Sequence, residues 1–96
     1  MPAPFPRGEE AHEAALRDED FIRRQQVIRQ AMLAHLYAAR RVNRTVYVRD
    51  LTHALGHDPA EAEFALAYLA EAGLIDHKSV HVRITTAGIE RFEQGD

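Results

Sequence analysis

Seven arginines lie between residues 21 and 57 against a single acid, Asp50. Four of them, Arg40, Arg41, Arg44 and Arg49, fall within ten residues, and Lys78, His81 and Arg83 form a second cluster toward the C-terminus. A guanidinium presents a planar fork of donors that matches carboxylate or phosphate oxygens, so both clusters could hold an anion. The plainer use of the first cluster is to neutralise the carbonyl end of a helix and to face an acidic arm.

His53 and His57 stand four apart, the spacing at which two imidazoles on successive helical turns can share a metal. Gly56 interrupts the pair, no carboxylate follows at ligand spacing and cysteine is absent. Both therefore read as solvated histidines, and no metal is expected. His77 and His81 flank a polar turn, where imidazoles could tune binding near neutral pH. No phosphate-cradling glycine loop, nucleophile elbow or HExxH stretch occurs, so neither an enzyme nor a cofactor is expected. Zero cysteines exclude disulfides and thiolate chemistry and fit a reducing compartment.

The elements that must position these residues follow from spacing. Pro2, Pro4 and Pro6 make an extended arm anchored by Phe5. Glu9 to Arg17 reads as a short helix with Ala11, Ala14, Ala15 and Leu16 on its apolar side. From Phe21 to Val42, Ile28, Met32, Leu36 and Ala39 recur at helical spacing, with Leu33 and Tyr37 widening the stripe, and predict a long amphipathic helix. Thr45-Val46-Tyr47-Val48 is β-branched and aromatic and predicts a brief extended segment. Arg49 to Leu55 reads as a second short helix stopped by Gly56. Asp58 caps and Pro59 opens a third helix, which keeps Ala62, Ala65, Leu66 and Leu69 on one face until Gly73. Phe64 and Tyr68 lie a turn apart on it, Tyr68 as core and Phe64 as interface. Val80, Val82 and Ile84 alternate with polar residues, which predicts a hairpin from Leu74 to Thr85. Thr85 then caps a last short helix carrying Ile89 and Phe92. The expected core is Ile28, Met32, Leu36, Leu51, Leu55, Leu66, Leu69, Ile75, Val82, Ile84 and Ile89.

Ninety-six residues, 46% of them apolar and 28% charged, suit one small globular domain. The net charge of −3 hides opposed blocks: residues 1–20 are acidic, residues 21–57 basic, and residues 58–76 carry five acids with no lysine or arginine. We divide the chain into an acidic N-terminal arm with a short helix, residues 1–20, and a folded domain, residues 21–96. No apolar run approaches the roughly 20 residues that span a bilayer, and the N-terminus lacks the order of a secretion signal. A cytoplasmic protein without a membrane partner is expected.

Helix, brief strand, short helix, helix, hairpin, helix is an α+β, mainly helical order with a long first helix. It resembles the winged helix-turn-helix superfamily, in which the β-hairpin is the wing. Leu66-Ala67-Tyr68-Leu69-Ala70-Glu71-Ala72-Gly73-Leu74-Ile75 resembles the end of that superfamily's third helix, and Val82-Arg83-Ile84-Thr85-Thr86-Ala87-Gly88-Ile89-Glu90 its second wing strand and following helix. The likeness extends over about residues 21 to 94 and is similar to the MarR-like and PadR-like groups, with no subfamily signature. It implies a DNA-binding protein, a small transcriptional regulator, often dimeric, that contacts duplex DNA through the third helix and the wing.

Phosphate contacts would then come from Arg40, Arg41, Arg44, Arg49, Lys78, His81 and Arg83. The same likeness points Ala60, Glu61, Glu63, Phe64 and Ala67 of the third helix toward the base-reading position, and none is a cation or an amide. Carboxylates there oppose the counterion release that drives DNA association. The alternative expectation is a winged helix used for protein association or dimerisation with little DNA affinity, through the strip Ala60, Phe64, Ala67 and Glu71.

Overall fold

Gln25, Ile28, Met32, Leu36 and Ala39 advance by three or four residues, and they form the buried stripe of a single helix, α1 (Gly8–Arg41). The computed structural model describes residues 8–95, with side chains from Asp18 onward. The proline-bearing arm and Phe5 lie outside the described residues. The short helix expected at Glu9–Arg17 is not separate from the long one, because the backbone stays helical through Asp18-Glu19-Asp20. No glycine or proline breaks it there, and Arg23 reaches back to Glu19 at 4.0 Å and Asp20 at 3.8 Å. Such pairs three and four residues apart support a helix from its own surface. The change of charge at residue 20 therefore falls inside a helix.

After α1 come β1 (Val46–Tyr47), α2 (Val48–Leu55), α3 (Pro59–Glu71), β2 (Ile75–Lys78), β3 (His81–Ile84) and α4 (Thr86–Glu93). Two side-chain caps start helices as their sequences require. Asp58 accepts from the backbone N–H groups of Ala60 and Glu61, and Thr85 accepts from that of Gly88. Gly56, at φ 65°, ends α2. It also takes the chain off the helix between His53 and His57, so the two histidines do not sit on successive turns of one helix.

The three strands form an antiparallel sheet in the order β1-β3-β2. Val46 lies opposite Val82, and Ile75 opposite Ile84. All four side chains are buried. With a period of two, Tyr47, His81, Lys78, Asp76 and Arg83 share the other face. Val80 does not extend the strand. It stands with Ser79 in a two-residue turn, Ser79 taking a left-handed φ of 56°, and its side chain is 57% exposed. Its carbonyl still accepts from Val48 N–H at 2.8 Å, tying the hairpin tip to the start of α2.

The core contains Ile28, Met32, Leu36, Leu51, Leu66, Leu69, Ile75, Val82 and Ile84 as expected, completed by Leu33, Ala39, Val46, Ala62, Ala65 and Leu74. Leu55 and Ile89 are only half-buried against it. Each lies on an eight-residue helix, Leu55 at its last position, where too few neighbours remain to cover a side chain. Among the described residues one polar side chain enters the core: Gln25, 2% exposed, donates from Nε2 to the carbonyl of Glu61 at 2.9 Å. At the other end of α1, Tyr37 packs against Phe92 and donates to Glu93 at 2.7 Å. By accepting that bond, the Glu93 carboxylate holds the Tyr37 phenol above its ordinary pKa of 10.0.

Thr85 and Gly88 fasten α4 to the end of α3. The Thr85 hydroxyl donates to the carbonyl of Gly73 at 2.6 Å, and its N–H donates to that of Leu74 at 3.0 Å. Gly88 is buried so close to the Leu74 carbonyl and the Ile84 side chain that a methyl group would overlap both. Gly88→Ala should therefore destabilise the fold by about 1–3 kcal/mol, as overpacking does. In a thermal melt followed by circular dichroism the midpoint should fall by roughly 5–20 °C. An unchanged midpoint would contradict the close approach.

Candidate nucleic-acid interface

Where α1 ends, the chain has to turn sharply to reach the sheet, and Asn43 makes that turn with a left-handed φ of 55°. The N–H of Asn43 donates to the carbonyl of Arg40 at 3.2 Å, and that of Arg44 to the carbonyl of Ala39 at 2.9 Å. This pair of bonds is a Schellman motif, which satisfies the last carbonyls of the helix. It delivers Arg44 to the mouth of a cleft of about 730 Å³ between the end of α1 and the sheet. Leu36, Ala39, Val46 and Val82 contribute to its apolar lining, and Arg40, Arg44, Lys78, His81 and Arg83 stand around it.

Five of the seven expected phosphate-binding residues thus converge on one cleft, although Arg40 and Arg83 are 43 positions apart in the chain. Arg40 also donates from Nη1 to the carbonyl of Ile84, which fixes the helix end against β3. Lys78 and Arg83 lie 3.8 and 3.7 Å from the same carboxylate, Asp76. Contacts this long on exposed side chains are weak and leave both cations free to turn to another anion. Arg44 makes no ion pair among the described residues. Arg41 and Arg49 are exposed but do not line the cleft, Arg41 because it lies one helical position round α1 from Arg40 and Arg49 because it belongs to α2. Those two expected contacts are not part of the convergence.

Tyr47 is the residue that sequence reasoning passed over. The residue is 46% exposed, and its ring meets that of His81 with centroids 4.8 Å apart and planes tilted by 53°. The signal was present in the alternation of Val46 and Tyr47, since a buried Val46 obliges Tyr47 to face outward.

Ala60, Phe64, Ala67 and Glu71 are all exposed along α3, as expected. Phe64 is 56% exposed, and its ring meets Phe21 of α1 edge-on at 5.3 Å. Glu61 does not face outward with them. Its carboxylate pairs with Arg24 of α1 at 2.7 Å, because the first turn of α3 packs beside α1. Tyr68, expected in the core, is 46% exposed, and Arg29 lies over its ring at 4.3 Å. The buried face formed by Ala62, Ala65, Leu66 and Leu69 leaves position 68 at its margin, where a cation can cover the ring.

No protein-family model and no curated protein matches the sequence. Among solved structures, the crystal structure of MepR, a transcription regulator of the Staphylococcus aureus multidrug efflux pump MepA, superposes with a TM-score of 0.61. The match covers 88% of this chain and 71% of MepR at 18% sequence identity. The chain has the winged-helix fold. In this winged helix α2 and α3 are the helix-turn-helix, β2 and β3 are the wing, and the cationic cleft lies between the wing and the end of α1. No helix among the described residues is long and apolar enough to cross a membrane.

Proposed function

We propose that this winged helix binds DNA as a small transcriptional regulator, and that its phosphate contacts come from the cleft rather than from α3. The observation that carries this reading is the convergence of Arg40, Arg44, Lys78, His81 and Arg83 from two distant stretches of sequence. Electrostatic contacts to phosphate supply most nonspecific DNA affinity, and cations on one face are their footprint. The exposed strip of α3 offers Ala60, Glu63, Phe64, Ala67 and Glu71 and no cation. A cytoplasmic dimer acting on duplex DNA is the form of regulator that suits this fold.

A second reading rests on Phe64, a large apolar side chain that remains 56% exposed beside two alanines. It assigns the α3 strip to protein association. The two readings are separated by titrating fluorescent duplex DNA with the chain at several salt concentrations, and by repeating the titration with Phe64→Glu. The logarithm of the affinity should fall linearly with the logarithm of salt, with a slope of about −3 to −4 for four phosphate contacts. Phe64→Glu should change that affinity by less than about threefold, because a substitution remote from the phosphate contacts leaves counterion release unaltered. Absence of binding at low salt would leave only the association reading.

A further inference from the structure

The cleft holds more than phosphate ligands. Tyr47 and His81 stand in it as a tilted pair of exposed aromatic rings, on the sheet face that also carries Lys78 and Arg83. Arg44 approaches from the helix side and Lys78 and Arg83 from the wing side, where Asp76 also lines the cleft, 3.8 and 3.7 Å from those two cations. A phosphate backbone can use the cations, the imidazole N–H of His81 and the phenol of Tyr47, but it has no use for the exposed faces of their rings. Bases within a duplex keep their π-faces stacked inward and show only their edges in the grooves, so such rings cannot stack on the face of a paired base. An unpaired base does offer a face, and stacking on aromatic side chains flanked by backbone-binding cations is how single strands are held. A volume of about 730 Å³ lies in the range of small-ligand sites.

We propose that the cleft is a site for an unpaired nucleotide of a DNA strand. Its base stacks on Tyr47 and His81, and the phosphates on either side of it are held by Arg44 from one rim and Lys78 and Arg83 from the other. This rests on the DNA-binding reading and narrows it to DNA that carries an unpaired base, such as a single-stranded end.

The test compares two fluorescent probes, a short duplex ending in unpaired thymidines and the same duplex with blunt ends. They are titrated with the wild-type chain, Tyr47→Ala, Tyr47→Phe and His81→Ala, each checked for folding by its thermal melt. The unpaired end should bind at least about fivefold more tightly than the blunt duplex, and Tyr47→Ala should lose roughly 5- to 100-fold on that probe alone. His81→Ala should lose in the same direction, and Tyr47→Phe, which keeps the ring, should retain the wild-type preference. Equal affinity for both probes, or equal losses on both with Tyr47→Ala, would overturn the unpaired-nucleotide site while leaving DNA binding intact. Binding to neither probe at low salt would overturn both readings.

Discussion

Replacing Arg44 and Arg83 together by alanine should weaken duplex binding by roughly tenfold or more at moderate salt and make the salt slope shallower by about two. The two residues come from opposite rims of the cleft, and neither is tied into the fold. Arg44 has no ion pair among the described residues, and Arg83 has the long contact to Asp76 at 3.7 Å. Their loss should therefore remove the proposed phosphate ligands and leave the structural bonds in place, and the thermal midpoint should be unchanged. Arg40 is the wrong residue for this experiment, because its bond to the Ile84 carbonyl holds α1 against the sheet. Arg41 and Arg49, outside the cleft, serve as controls whose removal should cost less. An unchanged slope in the double variant would show that phosphates do not lie between the end of α1 and the wing.

Leu66→Ala should cost about 2–5 kcal/mol of folding stability, measured by urea denaturation. Leu66 is 4% exposed and belongs to the core cluster with Leu69, Ala62 and Ala65. A leucine deleted from such a place loses its transfer free energy and leaves a cavity the neighbours fill incompletely. Domains of this size are stable by roughly 5–15 kcal/mol in all, so the loss would be a large share. A change under about half a kcal/mol would place Leu66 outside the core, since larger costs attend buried leucines.

The wing and its flanking helices were legible because local chemistry and periodicity agree there. Asp58-Pro59 could only open a helix, and alternation assigned Val82 and Ile84 to the inner face of β3 before any pairing was known. Position along an element is harder to read than its type. Val80 continues the alternation, yet a two-residue turn claims it, and nothing in a period of two shows where the chain reverses. Asp18-Glu19-Asp20 looks like a boundary by charge, but helix continuity depends on backbone freedom and on pairs such as Arg23 with Glu19, not on net charge. The individual cations were legible and their convergence was not, since it depends on the Asn43 turn at one end and the register of His81 against Tyr47 at the other. Glu61 shows the same limit. Its carboxylate appears free to face a groove until α1 is packed beside α3 and Arg24 takes it up.

On the proposed reading the cleft, rather than the exposed strip of α3, is the DNA-contacting surface. Adding duplex DNA to the isotope-labelled chain and following backbone amide shifts by nuclear magnetic resonance locates that surface residue by residue. The largest changes are expected from Asn43 to Tyr47 and from Lys78 to Arg83, with Ala60, Phe64 and Ala67 nearly still. Changes confined to Ala60, Phe64, Ala67 and their neighbours on α3, with the wing and the end of α1 unmoved, would contradict it.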